Sequence, residues 1–320
     1  MRKELNPVRE RKSSLWKRLW EQRYLQLFAL LGVAFILVFY YTPMSGLLMA
    51  FKKYKIQTGY AGIFTAPWVG LKWFAEFVTD YNFNELLRNT LGISVLKMLF
   101  TFPVPLLLAV ILSETRNKAV KRLVQTASYL PYFISWVVVA GFCLQFFTTQ
   151  EGVVNKVIVA LGGEPRFFLS SPDYFWGLVI GTGIWKEMGW WAIIFLAAIT
   201  GVDPSLYEAA MIDGAGRIRR IRHITLPSIA PTVTVVLILA IGNLLGGGLG
   251  GSTFEQCYLL GNTANRAASD IFQTYSFRIG LSEGRYSYAT AIGMIQSVVS
   301  VILVFSTNAV SKSTTGHGLF

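Results

Sequence analysis

Long apolar segments alternate with short polar segments along most of the chain. Six stretches are long and apolar enough to cross the hydrocarbon core of a bilayer, which takes roughly 20 helical residues. They are approximately 25–41, 89–112, 123–147, 174–199, 226–245 and 287–309. Polar interruptions in the third and fourth stretches leave their ends less sharply defined. The pattern predicts an all-α, polytopic membrane protein with six transmembrane helices.

Lys and Arg residues are concentrated on one side of these six segments. Residues 1–24 contain eight of them, and the loops 113–122 and 200–223 contain four each. The loops on the opposite side carry a sparser set, with one cluster at residues 52–55. Since cytoplasmic loops of membrane proteins carry the excess of Lys and Arg, both termini are predicted to be cytoplasmic.

Composition supports a membrane protein. The 320 residues are 53% hydrophobic and 14% charged, with a mean hydropathy of +0.48, which makes a water-soluble two-domain enzyme a poor match. The net charge of +12 is explained by a basic cytoplasmic face that lies against anionic membrane lipid. The sequence contains no nucleic-acid-binding motif, so no nucleic-acid partner is predicted.

The spans divide the chain into a basic N-terminal segment (1–24), a transmembrane domain (25–309) and a cytoplasmic tail (310–320). Within the second part, residues 42–88 form an external segment rich in Gly, Pro and aromatic residues. Apolar residues recur at helical spacing near the end of the basic segment: Leu15, Trp16, Leu19, Trp20, Tyr24 and Leu27. This pattern favours a short helix in the membrane interface, and a frayed basic tail is the alternative.

The chain offers few residues for metal binding or disulfide formation. Cys143 falls inside the third predicted span and Cys257 in the last external loop, so a disulfide between them is not expected. His223 and His317 are far apart in the sequence, and no cluster of His, Cys, Asp or Glu has the spacing of metal ligands. No metal site is predicted.

The polar loop at 200–223 has strong local signals. Asp203 followed by Pro204 is typical of a helix start, with an acidic cap and proline at the first helical position. Gly214 permits the positive-φ conformation that ends such a helix, and a basic stretch then leads to Pro227, which starts the fifth span. The small and apolar residues Tyr207, Ala209, Ala210 and Ile212 would lie on an exposed face. Such a face fits a groove in another protein, and an amphipathic loop at the lipid headgroups is the alternative.

This loop resembles the cytoplasmic coupling loop of ABC importer permeases. The family pattern is EAA, three residues, Gly, nine residues, Ile, one residue and Leu-Pro, commonly with Asp before the Gly. The matching residues are Glu208, Ala209, Ala210, Asp213, Gly214, Ile224, Leu226 and Pro227. Ile218 and Ile221 depart from the pattern, because the family usually has aromatic residues there.

The resemblance implies a type I ABC importer permease fold in the bacterial cytoplasmic membrane. It further implies a second permease subunit, usually a different chain, two cytoplasmic ATPase subunits and an extracellular solute-binding protein. The coupling loop would sit in a cleft of an ATPase subunit, with Glu208 as its charged anchor and Gly214 as its hinge. No phosphate-binding loop of the form G-x-x-x-x-G-K-[ST] occurs in the sequence, so this chain is not expected to be an enzyme. ATP and magnesium would bind on the partner ATPase.

Nearly the whole chain resembles the sugar-importing members of that family, and within them the permeases for oligosaccharides and polysaccharide fragments. The segments that carry this resemblance are 41–44, 50–54, 67–71, 88–91, 129–136 and 284–291. A run of glycines between residues 246 and 251 is longer than the family pattern. It would serve either as a flexible loop near a gate or as a plain connector.

Polar residues inside the spans indicate candidates for the translocation path. Lys186 and Glu187 fall near the middle of the fourth span, where ionisable groups must face protein or water. With Trp185 and Trp190 they would line the path, or they would form an ion pair or helix–helix tie that never meets substrate. Glu255 is a further candidate. Other polar residues in the spans are expected to form hydrogen bonds between helices; they are Lys97, Gln145, Asn243 and Gln296.

Two other function classes remain open from the sequence. A secondary transporter or channel for a small polar solute would be expected to show repeated halves or matched interrupted helices. A membrane-embedded enzyme would be expected to show clustered catalytic groups near one interface. Neither pattern is evident in the sequence. The identity and charge of the sugar stay open, although the external cations would suit an acidic oligosaccharide such as a uronate.

Overall fold

A computed structural model describes residues 20–246, 248–249 and 251–315 of the chain. Over these residues the fold is helical, and its one extended contact is an isolated antiparallel bridge between Lys52 and Trp68. The principal helices in chain order are α1 (Arg23–Phe51), α2 (Lys72–Val78), α3 (Phe83–Glu114), α4 (Lys118–Phe133), α5 (Trp136–Phe147), α6 (Val153–Ala160), α7 (Pro172–Thr200), α8 (Pro204–Ile212), α9 (Arg217–Gly242), α10 (Thr253–Leu260), α11 (Phe272–Ser282) and α12 (Tyr286–Thr315).

Four helices in the described part of the chain, α1, α3, α9 and α12, are each long and apolar enough to cross a membrane. Two bent pairs, α4 with α5 and α7 with α8, raise the number of crossings to six if each pair counts as one span. The all-α fold with six predicted spans is therefore confirmed at the level of the helices.

Three predicted boundaries are wrong. The first helix does not end at residue 41 but continues as α, π and 3-10 turns to Phe51, because Pro43 lies at the start of the short α turn that follows the π turn Leu37–Tyr41, a position where proline is tolerated. The third span is not a single helix, since α4 and α5 meet at 104°. Residues 134–135 separate them, and the Ser135 hydroxyl caps the second helix by accepting from the Val138 N–H.

The fifth span begins earlier than predicted. Pro227 does not start it, because α9 is helical from Arg217 and contains a π turn at Ile221–Thr225. A π turn shifts the hydrogen-bond register by one residue, and it lies just before the two residues Leu226 and Pro227 that open the regular α-helical part. The predicted coupling loop, 200–223, therefore includes the first turns of α9.

The interior is built around α7. The helix packs most extensively against α3, and the residues Phe195, Leu112 and Ile229 belong to a buried cluster between α7, α3 and α9. A second cluster joins α5, α7 and α10 near the other end of α7. Gly189 lets α7 approach α4 closely, since a Cβ atom there would lie 2.1 Å from the Ser128 carbonyl oxygen.

The external segment is tied to the start of α12. The Asp80 carboxylate accepts hydrogen bonds from the hydroxyls of Tyr288 (2.6 Å) and Tyr275 (2.7 Å). Burial by itself would raise the pKa of Asp80, but the hydrogen bonds from Tyr288, from the Asn82 backbone and from Tyr275 bring it below its ordinary value. Glu76 and Arg285 form an ion pair beside this site. The external segment is thus an ordered cap.

Cys143 and Cys257 are both free and buried. Cys257 does not lie in an exposed loop as predicted, because α10 folds back into the protein and places it in the same buried cluster as Cys143. Of the residues that predicted an interfacial helix, Leu15, Trp16 and Leu19 lie outside the described residues, as does His317. Trp20 is described and exposed, and Tyr24 and Leu27 belong to α1. In contrast to α10, α1 buries none of its first 14 residues, so its apolar surface is left for lipid or another subunit.

Candidate functional site

The loop between α7 and α9 forms a short, well-capped helix. The Asp203 carboxylate accepts a hydrogen bond from the Ser205 N–H (2.9 Å), and Pro204 occupies the first helical position of α8. At the other end, Gly214 adopts φ of +72°, and the Ala215 N–H returns to the Ala210 carbonyl (2.8 Å). This is the geometry that ends a helix at a left-handed residue. The helix and its stop therefore lie where the sequence signals predicted them.

The resulting knob projects from the protein. α8 meets α7 at 69° and contains no buried residue. Glu208 and Ala209 are exposed, Ala210 is half-buried, and Ile212 is 87% exposed. Asp213 and Gly214 are exposed at the tip. An apolar side chain this exposed beside a carboxylate is suited to insertion in a groove of another protein.

Contacts at its base hold the knob to two helices. The hydroxyls of Tyr207 in α8 and Thr225 in α9 are 3.0 Å apart. Arg217, at the start of α9, pairs with Glu114 at the end of α3 with 4.0 Å between Nε and Oε2. Ile224 is half-buried in this region, whereas Leu226 and Pro227 are exposed. The first contact ties α8 to α9, and the second ties the start of α9 to the end of α3.

Lys186 and Glu187 face different partners instead of each other. The Lys186 Nζ donates to the Tyr132 carbonyl (2.7 Å) at the bend between α4 and α5, and lies over the rings of Tyr132 (5.2 Å) and Trp136 (5.4 Å). The Glu187 Oε1 accepts from the Ser252 hydroxyl (2.5 Å). Both residues are buried. These contacts agree with the tie between helices, which was the alternative to a path-lining role.

The two tryptophans of the predicted set lie in separate places. Trp190 stacks on Tyr132 with 4.5 Å between ring centroids and contacts Phe133 edge to face. Trp185 lines a cavity of about 450 Å³ together with apolar residues of α5 and α7. The structure therefore brings Trp190 next to Lys186 but leaves Trp185 facing an apolar space.

Glu255 lies in a large open groove of about 890 Å³ between α9, α10, α11 and α12. It is the one Asp, Glu, Lys or Arg side chain among the described residues that line this groove. The other polar lining residues are Asn243, Gln273, Ser276, Tyr286, Thr290, Gln296, Ser297 and Ser300. Phe254, Phe277 and Tyr286 add aromatic faces. A wall of neutral hydrogen-bonding groups and aromatic rings is chemically suited to a polyhydroxylated ligand.

The other polar residues of the spans divide into two groups. Lys97 makes hydrogen bonds to α10, and the Gln296 amide donates to the Leu245 carbonyl (3.2 Å), so both join different segments as predicted. Asn243 instead organises its own loop by donating to the Gly248 carbonyl (3.1 Å), and Gln145 is exposed. The partners of Lys97 were not predicted, because α10 gave no sign in the hydropathy pattern of folding back inside.

The chain is similar to known proteins in family, in sequence and in structure. The family model for the binding-protein-dependent transport system inner membrane component matches residues 101–316. Protein LplB of Bacillus subtilis (strain 168) is 46% identical, with 93% of this chain and 91% of that protein covered. The polygalacturonan/rhamnogalacturonan transport system permease protein YteP of the same organism is 43% identical, with 98% and 95% covered.

Two solved structures share the fold. A chain from a bacterial ABC transporter involved in the import of the acidic polysaccharide alginate has a TM-score of 0.85 and 38% identity, over 94% of this chain and 99% of that one. A chain from the alginate transporter in complex with a periplasmic protein that holds an alginate pentasaccharide has a TM-score of 0.86 and 37% identity, over 95% and 99%.

Proposed function

The chain belongs to the family of binding-protein-dependent transport system inner membrane components, and we propose that it forms half of the pathway for oligosaccharides derived from an acidic polysaccharide. It is the permease subunit of an ABC importer, and ATP hydrolysis takes place on separate ATPase subunits. Because the chain belongs to this family, the alternatives of a secondary transporter, a channel or a membrane-embedded enzyme no longer apply.

The permease works with other proteins in the bacterial inner membrane. A second permease subunit completes the pathway, two ATPase subunits bind on the cytoplasmic side, and a solute-binding protein delivers the sugar from outside. We propose that ATP and magnesium bind on the ATPase subunits, and that the second permease is a different chain. The open side of the groove between α9 and α12 would then face that second permease.

The groove around Glu255 is the observation that carries the sugar-transport proposal. Sugar hydroxyls are recognised by amide and hydroxyl groups, and the apolar face of a sugar ring packs on aromatic side chains. Both kinds of group line this groove, with Asn243, Gln273 and Gln296 as amides and Phe254 and Tyr286 as rings. The Glu255 carboxylate can accept hydrogen bonds from sugar hydroxyls, whereas it would repel the carboxylates of an acidic sugar, so the hydroxyl-bearing parts of the sugar would face it.

An acidic substrate is supported from outside the groove. The YteP protein is a polygalacturonan/rhamnogalacturonan permease and the alginate transporter imports an acidic polysaccharide; polygalacturonan, rhamnogalacturonan and alginate all contain uronate. Three lysines, Lys52, Lys53 and Lys55, lie near the start of the segment predicted to be external. We propose that these cations favour a uronate oligomer on entry, and that the groove contacts mainly hydroxyl groups.

We propose that α8 is the coupling helix on this chain. Its exposed face, with Glu208, Ala209 and Ile212, would occupy the cleft of an ATPase subunit. Closure of the two ATPases would push α8 and, through the continuous helices α7 and α9, change the walls of the groove. Ile224, Leu226 and Pro227 follow within α9, where the π turn makes the helix deformable.

The function can be tested with the complete complex in proteoliposomes. The sugar-loaded binding protein is added on the side that corresponds to the outside of the cell. We expect ATP-dependent uptake of a galacturonate oligomer and only weak uptake of a neutral oligomer of equal length. Equal uptake of the neutral oligomer would contradict the acidic-substrate proposal. No uptake of either sugar would contradict oligosaccharide transport.

The proposed role of α8 as the coupling helix can be tested with a variant of Glu208. Glu208→Ala is expected to lower uptake by about tenfold, since a hydrogen-bonded charge at a protein interface contributes on the order of 1.4 kcal/mol or more. Glu21→Ala, which removes another exposed carboxylate near the predicted cytoplasmic side, serves as the control and should transport like the unaltered protein. Normal uptake by Glu208→Ala would argue against α8 as the coupling helix.

A further inference from the structure

A buried polar network joins three segments next to the groove. The Lys97 Nζ of α3 donates to the Gln256 Oε1 (2.7 Å), to the Thr253 hydroxyl (3.2 Å) and to the Ser252 hydroxyl (3.4 Å). Ser252 in turn donates to the Glu187 carboxylate of α7 (2.5 Å). These five residues are at most 5% exposed.

The Lys97 ammonium and the Ser252 hydroxyl both have partners for their hydrogens. An ammonium group has three hydrogens, and Lys97 has three acceptors within reach. The Ser252 hydroxyl accepts from Lys97 and donates to Glu187, so it bridges the two charged side chains. The Gln256 amide nitrogen donates to the Val179 carbonyl (2.7 Å). Buried polar groups that are paired in this way hold one another in a defined geometry.

Ser252 stands immediately before α10, and the opposite side of that helix forms a wall of the groove. Within one turn, Gln256 points to Lys97 and Glu255 lines the groove. Among the described residues between α9 and Ser252, the Asn243 carbonyl accepts from the Gly246 and Gly248 N–H groups (both 2.9 Å).

The same network connects to the coupling helix. Glu187 lies on α7, which continues into α8, and Lys97 lies on α3, whose last turn pairs with Arg217 at the start of α9. A displacement of α7 relative to α3 pulls the bonds to Ser252 in different directions. A hydrogen bond weakens when its length changes by a few tenths of an ångström. To keep its bonds to Lys97 and Glu187, Ser252 at the start of α10 would therefore have to move with these two helices.

We propose that Ser252, held between Lys97 and Glu187, is a positioning residue that transmits movement of the coupling helix to the Glu255 wall of the groove. The inference rests on the proposed import function and adds the element that links ATPase closure to the sugar path. Lys97 and Glu187 act through Ser252 and are not sugar ligands.

The test compares Ser252→Ala with the unaltered permease in the complete complex, reconstituted with ATPases, second permease and loaded binding protein. The measured quantity is sugar imported per ATP hydrolysed, normalised to assembled complex. Ser252→Ala is expected to lower this ratio by about fivefold or more, the range of a coupling interaction. Ser313→Ala is the matched control, because that hydroxyl bonds to the Val310 carbonyl of its own helix. It should keep the normal ratio.

Glu187→Gln provides a second variant that preserves shape if Ser252→Ala fails to assemble. It weakens the short bond to Ser252 and should lower the ratio in the same direction. A second readout is the rate at which a membrane-impermeant maleimide labels Glu255→Cys, which should respond to nucleotide in the otherwise unaltered protein and lose that response with Ser252→Ala.

The outcomes separate the two proposals. A normal ratio in both Ser252→Ala and Glu187→Gln overturns the positioning role, as does a purely lower melting temperature with an unchanged ratio. Failure of the unaltered complex to import any oligosaccharide overturns the proposed function instead.

Discussion

The coupling helix α8 and the buried network at Ser252 hold their shape by opposite means. α8 has no buried residue, and its caps lie within the same short segment. The network is buried, and its bonds join residues separated by 65 positions (Glu187 and Ser252) and by 159 positions (Lys97 and Gln256). A surface formed by residues close together in the sequence thus contrasts with a buried network formed by residues far apart in it, and under the proposed function the first would meet the ATPase and the second would support the groove.

The largest stability effect is expected from breaking the network. Lys97→Met removes the cation that the Gln256 oxygen and the Thr253 and Ser252 hydroxyls accept from, and it leaves the nearby buried Glu187 carboxylate without that positive charge. Each buried polar group left without its partner costs about 1–3 kcal/mol. The melting temperature of the purified complex should fall clearly. The double variant Lys97→Met with Glu187→Gln should recover part of the loss, because the second change removes the uncompensated charge. Strictly additive losses would show that the two charges are not coupled.

A smaller stability effect with a large functional effect is expected at the end of α8. Gly214→Val places a β-branched residue at φ of +72°, which costs roughly 1–2 kcal/mol for a left-handed conformation. No atom lies within 4 Å of the added Cβ, so the cost comes from the backbone and not from a clash. Uptake in proteoliposomes should fall strongly while the melting temperature changes little.

Gly214→Asn is the matched control, since asparagine tolerates the left-handed region better than other residues with a side chain. It should retain much more uptake than Gly214→Val. Equal loss in both variants would mean that side-chain volume at the docking surface, and not backbone conformation, decides the effect.

This difference also explains what could be predicted from the sequence. The helix start at Asp203–Pro204 and the stop at Gly214 depend on residues within one short segment, so the motif located α8 correctly. The six hydrophobic stretches likewise located the span helices, because length and apolar character are local properties.

The missed features depend on distant contacts. The bend between α4 and α5 lies where Lys186 binds the Tyr132 carbonyl, a contact across 54 positions. α10 is short and contains Glu255 and Gln256, so nothing local distinguished it from an external loop. Lys186 and Glu187 are adjacent in sequence but point to different segments, and only the packing of α7 determines which one meets Ser252.

A third effect is expected where Asp80 of the predicted external segment binds Tyr288 and Tyr275. The hydrogen bonds from Tyr288 and Tyr275 favour the ionised form of Asp80, and the pKa of Asp80 lies below its ordinary value of 3.8. The stability that this carboxylate contributes is therefore fully present above its unfolded-state pKa and is lost as pH falls through the lowered folded-state pKa.

Asp80→Asn should remove that pH dependence. Between about pH 6 and about pH 3, the unaltered protein should lose more thermal stability than the variant, because the variant has no carboxylate to protonate at this position. Melting temperatures measured in the same detergent across this range provide the check. Parallel curves would show that Asp80 does not hold the external cap through its charge.

The smallest effect is expected where an ion pair lacks burial. Glu151 and Lys156 lie 2.8 Å apart, and their side chains are 84% and 60% exposed. Glu151→Gln should leave both melting temperature and uptake unchanged, because water and salt screen an exposed pair and its side chains lose entropy when held together. The distance is close to that between Lys97 and Gln256, so the two sites differ in burial more than in geometry. A clear loss of stability in Glu151→Gln would mean that burial is not what makes the network at Ser252 strong, and that short polar contacts matter equally wherever they occur.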